Sequence, residues 1–146
     1  MQISSLTRLM CGLTLITIPS IQFGGYFLLS VLGGRVPEME LTSFQQAMFR
    51  AGHAHAGVLI LFSLVTQVLI DATYLKGIPH WLVRAGIPFS ALLISSGFFL
   101  SAIQTGATEP DEWVILIYIG AILLALGLIT LGIGLIQAWR NPPENV

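Results

Sequence analysis

The sequence predicts an all-α fold, a bundle of four transmembrane helices. Three observations lead there. Of the 146 residues 55% are hydrophobic and only 9% are charged, against about 25% charged in a soluble domain. Such a chain cannot cover itself with a hydrated surface, so its solvent is expected to be lipid. Second, four apolar runs reach the length of about 20 residues that a crossing needs: residues 9–32, about 44–75, 85–104 and 113–138. Third, little sequence is left between them for another domain, so residues 1–146 are expected to form one integral membrane unit.

The first run holds the single cysteine, Cys11, which excludes an intrachain disulfide and a multi-cysteine metal site. Arg8 precedes this run as in a signal peptide. Its apolar stretch is too long and lacks a small-residue cleavage site, so a retained helix is expected. Pro19 frees a backbone carbonyl that Gln22 is placed to satisfy. The loop GGRVPEMELT follows, with Pro37, Glu38 and Glu40 as breakers.

The second run starts before hydropathy alone would place it. Thr42 or Ser43 offers an N-cap ahead of FQQAMFRAGH. A helix over 44–75 is roughly 45 Å long, more than the hydrocarbon core. Its first turns, with His53 and His55, then lie near the outer boundary of the membrane. KGIPHWLVR reads as a loop with His80–Trp81 at the interface, and Pro88 as a kink in the third helix. Its serines read as interhelix hydrogen-bonding groups. TGATEPDE forms the last loop, and Pro142 and Pro143 keep the tail out of the fourth helix.

Lys and Arg near the helix ends set orientation. Arg8, Lys76, Arg84 and Arg140 fall on the side of the termini, Arg35 and Arg50 on the other. This places both termini in the cytoplasm of a multi-pass cell (inner) membrane protein. Trp81, Trp113 and Trp139 fall at expected interfaces. The net charge of −1 gives no basic patch for nucleic acid. The partners expected are the lipid bilayer and a homo-oligomer or larger membrane complex.

The candidate site is FRAGHAHAG, which carries two of the three histidines. Residues i and i+2 stand about 200° apart on a helix, so His53 and His55 do not converge on one ion, and the H-x-x-H and H-x-x-x-H spacings of a zinc helix are absent. Gln46, Arg50, His53, Gly57, Ile60, Leu64, Gln67 and Asp71 keep to one stripe. Ionisable residues inside a membrane helix face the bundle or a wet cavity, so this stripe is expected to face inward. Asp71 also reads as a simple interfacial pair for Lys76. His55 points elsewhere, towards another helix, a subunit or a cofactor. Tyr26 and Tyr118 lie at a matching depth as hydrogen-bond partners for the histidines. The alternating Ala and Gly of AGHAHAG, with Gly24, Gly25, Gly33 and Gly34 in the first run and Gly120, Gly127, Gly132 and Gly134 in the fourth, allow close approach of a helix or a flat ring.

GGYF in the first helix and FRAGHAHAG opening the second resemble a family of small, uncharacterised bacterial four-helix membrane proteins. That resemblance implies the fold and the membrane, and no activity. His53, His55 and Gly57 also match, over a short stretch, the His-x-His helices of haem–copper oxidase subunit I. That likeness implies haem b or a transition metal held by His53 or His55. The further histidines of an oxidase centre are missing, so such a centre is not expected within one chain.

No nucleophile–base pair, phosphate loop or carboxylate dyad is present, and the reading leans away from an enzyme. A cofactor or metal site centred on His53 and His55 is therefore the leading expectation. Its alternatives are proton or small-solute transport along Gln46, Arg50, His53, Gln67 and Asp71 in an oligomer, and a structural or assembly subunit without chemistry.

Overall fold

A computed structural model describes residues 3–36 and 39–141. Pro37, Glu38, Pro142 and Pro143 lie outside the described residues. Among the described residues every element is helical, and four helices are long and apolar enough to cross a membrane. They are α1 (Ser5–Leu32), α2 (Ser43–Leu69, continued by a 3₁₀ turn at Ile70–Ala72), α3 (Gly77–Leu100) and α4 (Ile115–Arg140, entered through a 3₁₀ turn at Glu112–Val114).

Local sequence sets the ends. The Ser4 hydroxyl accepts from Thr7 N–H at 3.1 Å and caps α1. Gly34, at φ +69°, closes it: its N–H reaches Val31 O at 3.1 Å and Arg35 N–H reaches Ser30 O at 2.9 Å. That paired arrangement needs a left-handed residue, which glycine supplies without strain. Thr42 caps α2 as the sequence predicts, in a reciprocal capping box with Gln45.

The third helix corrects the sequence. It starts at Gly77, not near Ala85, and ends at Leu100. KGIPHWLVR is therefore not a loop. Lys76 is extended, Gly77 takes φ +62°, and Pro79 sits in the first turn, where no helical N–H is required of it. The helix then widens into a π segment, Leu82–Gly86, before Pro88. His80 and Trp81 thus belong to a helix. Among the described residues the serines of α3 make no hydrogen bond to another helix: Ser90 donates to Ile87 O of its own helix at 2.7 Å, and the Ser95 hydroxyl is buried without a partner, as is that of Ser101 just past the helix.

The helices pack in the order α1–α2–α3–α4, with α3 the most enclosed. Small residues draw α3 and α4 together. A Cβ on Gly97 would stand 2.9 Å from the backbone N of Ile117, one on Gly120 would stand 2.7 Å from Ile94, and one on Gly127 would stand 2.7 Å from Ile87. Gly120, Gly127 and Gly134 recur every seventh residue, so they share one face of α4. On α2 a second such series, Gln45, Gly52, Leu59 and Thr66, is buried. Gly52 lies against Phe98 and Phe99, and Leu59 packs with Ala91 and Ile94. This series, not the predicted stripe, is the face α2 turns to α3.

Helix α1 is peripheral and packs on α2. Four of its 28 residues are buried, Thr7, Thr14, Leu28 and Val31, while Ile16 and Phe23 are more than 70% exposed. Trp81, Trp113 and Trp139 are exposed, as an interfacial belt requires.

The α3–α4 seam gives a prediction. Gly97→Ala has to push Ile117 backbone aside and should lower stability by about 1–3 kcal/mol, an overpacking cost. Gly24→Ala meets nothing within 4 Å and should be neutral or stabilising by about 0.5 kcal/mol. Equilibrium unfolding in mixed micelles should separate the two; equal effects would contradict the seam.

Candidate functional site

The polar residues of α2 divide between two sites at opposite ends of the helix. The one on the side of the termini is built around Arg84. The π segment of α3 carries this residue, which is only 2% exposed. Its guanidinium uses four of its five N–H donors. Nε donates to His80 Nε2 at 2.8 Å, and Nη1 donates to Thr7 Oγ1 at 2.9 Å and Gln67 Oε1 at 3.1 Å. Nη2 donates to Asp71 Oδ1 at 2.6 Å, an ion pair between side chains 2% and 8% exposed. As an acceptor, His80 Nε2 carries no proton, which assigns the proton of the neutral ring to Nδ1.

Asp71 gathers the start of α1 as well. Its Oδ2 accepts from Ser4 N–H at 2.8 Å and from the Thr7 hydroxyl at 2.7 Å. The Gln67 amide spans two needs. Its oxygen accepts from Arg84, and its nitrogen donates to Arg84 O at 2.6 Å. That carbonyl lies four residues before Pro88, which has no N–H to offer it. The side chain of α2 thereby satisfies a backbone group that proline leaves free inside the bundle.

These contacts correct two expectations. Asp71 pairs with Arg84, and Lys76 is exposed. Arg84 is an interior residue and no loop charge. Ser4, Thr7, His80 and Arg84 are site residues that the sequence does not single out. Spacings of four nevertheless point to His80 and Arg84, in His80–Arg84 and Arg84–Pro88, and to their partners in Gln67–Asp71; no such spacing points to Ser4 or Thr7. Each places two groups on one helical face.

The site at the opposite end of α2 holds the two sequence-predicted histidines, on different faces. His53 is half-buried against α1; a Cβ on Gly25 would stand 2.7 Å from its Nε2. Only glycine in α1 leaves room for this ring. His55 is exposed, its Nδ1 lies 2.8 Å from Ala51 O, and its ring stacks on Phe98 of α3 with centroids 4.8 Å apart. A carbonyl partner makes Nδ1 the protonated nitrogen and leaves Nε2 with its lone pair.

The predicted stripe faces α1. His53 meets Gly25, and Gln67 and Asp71 meet Thr7. It is no continuous polar path: Gly57, Ile60 and Leu64 separate its ends, Gln67 and Asp71 are engaged by Arg84, Gln46 bonds Leu41 O of its own entry turn, and Arg50 is exposed. Tyr26 and Tyr118 are exposed, at 65% and 59%, and neither hydrogen-bonds a histidine among the described residues. Gln22 is exposed. Among the described residues no group of three or more His, Cys, Asp or Glu side chains is arranged to hold a metal ion.

Removing one partner of a buried ion pair leaves an uncompensated charge, which costs about 3–5 kcal/mol. Arg84→Met should destabilise the protein by about that much. Asp71→Leu combined with Arg84→Met should recover part of the loss, because no lone charge remains. A double-mutant cycle by reversible unfolding in micelles measures this; additive losses would show that the two side chains act separately.

The chain matches no protein-family model, no curated protein and no solved structure.

Proposed function

We propose that this chain is an integral membrane protein that presents His55 as a ligand to haem b or to a transition-metal ion at the surface of its bundle. The observation that carries the reading is a difference among the three histidines. His80 Nε2 is occupied by Arg84, and His53 Nε2 is covered by α1 at Gly25. His55 has one nitrogen oriented by a backbone carbonyl and the other free on an exposed ring. Haem and metal ligands have that same arrangement, because a hydrogen bond at one nitrogen fixes the ring and raises the basicity of the other.

One chain supplies one such imidazole, so the remaining ligands come from a second copy or from another subunit. His53 supports the segment by packing α2 on α1. The protein acts in this reading as an electron-transfer or sensing component and not as an enzyme. The membrane is the cell (inner) membrane, with both termini in the cytoplasm. With Arg84 engaged inside the bundle, Arg8, Lys76 and Arg140 remain against Arg35 and Arg50, which keeps the positive excess on that side.

Absorption spectra of the purified protein, oxidised and reduced, with metal analysis of the same sample, test the reading. A Soret band or a stoichiometric metal is expected, lost in His55→Ala and kept in His53→Ala and His80→Ala. A colourless, metal-free protein that also fails to take up added haem would overturn it. So would loss of the cofactor in His53→Ala alone.

A further inference from the structure

One of the four acceptors around Arg84 is a titratable lone pair. Arg84 Nε donates to His80 Nε2 at 2.8 Å, a bond that requires the ring to be neutral. Arg84 is 2% exposed, but His80 lies in the first turn of α3 and is only half-buried. A proton therefore has access to the ring while the guanidinium stays enclosed.

A proton on Nε2 removes the acceptor and sets imidazolium against guanidinium, and like charges in contact repel strongly where the dielectric is low. Arginine does not give up its own proton, so the two side chains have to part. The guanidinium is a planar, rigid fork. Nε cannot retreat without carrying Nη1 away from Thr7 and Gln67, and Nη2 away from Asp71. The charged neighbours offer no relief. Arg8 of α1, Lys76 ahead of α3 and Arg140 of α4 are exposed cations, and the ion pair present among the described residues is Arg84–Asp71. Asp71 of α2 is the one anion of the cluster, and its oxygens are already engaged by Arg84, Ser4 and Thr7. An imidazolium that draws on Asp71 does so at the expense of those bonds. Either way α1 loses its anchor at this end. Only four residues of α1 are buried, so little else holds it there.

We propose that His80 is an acid-operated latch on α1: neutral, it keeps Arg84 where Thr7 and Asp71 are bound; protonated, it releases the start of α1 from α2 and α3. The latch lies at the end of α2 opposite His55 and stands whether or not that residue holds a cofactor. Spin labels at Leu9 and Phe89, 57% and 54% exposed, would be placed in the full chain carrying Cys11→Ala in lipid nanodiscs. Pulsed electron-spin distances would be taken at about pH 7.5 and about pH 5, an interval in which histidine ordinarily changes charge and carboxylates ordinarily stay ionised. The α1–α3 distribution should be narrow at the higher pH and severalfold broader at the lower, reversibly. His80→Gln, whose amide oxygen still accepts from Arg84 and takes up no proton, should stay narrow at both. With His80 unchanged, the ¹⁵N signals of its ring should pass from neutral to imidazolium over the same interval as the broadening. A distribution equally narrow at both pH values would overturn the proposal. So would an acid response kept in His80→Gln, which would assign it to Asp71 or His53, or a His80 ring that stays neutral while α1 loosens.

Discussion

A guanidinium inside an apolar bundle is the constraint around which this protein is arranged. A lone charge moved from water into a low-dielectric interior costs several kcal/mol even after relaxation. Arg84 is 2% exposed, so the chain has to surround it with acceptors. It does so with four separate groups from three helices: Asp71 and Gln67 of α2, Thr7 of α1 and His80 of α3. Satisfying the charge therefore fixes where those helices stand relative to one another. The stabilisation such a pair adds is modest, because its desolvation is costly. Its effect is geometric: an α1 that moved away would strip Asp71 and Arg84 of partners together.

The rest of the bundle follows from how much each helix depends on that cluster. α3 and α4 do not need it, since the glycine series on α4 lets their backbones approach closely, and a dense van der Waals contact holds where lipid offers no hydrophobic drive. α2 joins α3 through Gly52 and Leu59, and joins the segment just past α3 through Gln45, whose amide nitrogen donates to Ala102 O and Gln104 O, both at 3.0 Å. α1 has no such seam. It is anchored by Ser4 and Thr7 at one end and by the Gly25–His53 contact towards the other. A helix held at two points leaves a groove of about 440 Å³ open between them.

The architecture was legible in the sequence because membrane solvation imposes length and composition on each span. Thr42 was legible as a cap, and Gly120, Gly127 and Gly134 of α4 as points of close approach, whereas Gly132, expected with them, meets nothing within 4 Å. The start of α3 was not. Gly77, Pro79 and His80 read as a loop by composition, yet proline in a first turn costs the helix nothing. That misplacement put Arg84 outside the membrane and hid the ion pair, so Asp71 was matched with the nearer Lys76. The stripe through His53 and Asp71 was a real face of α2, but spacing alone does not say which neighbour a face meets. It meets α1, and the core face is the series shifted by one residue. The histidines divide for the reason that the sequence contains: two residues apart on a helix they point to opposite sides.

The Arg84 cluster holds α1 in place. Spin labels at Leu9 and Ile78, both exposed, in a protein carrying Cys11→Ala would report the distance between α1 and the start of α3. Pulsed electron-spin measurement should give a narrow distance distribution in the otherwise native protein. In Arg84→Met it should broaden severalfold, while a control pair spanning α3 and α4 stays narrow. An equally narrow α1–α3 distribution in Arg84→Met would contradict the claim and leave the cluster as a bystander to α1.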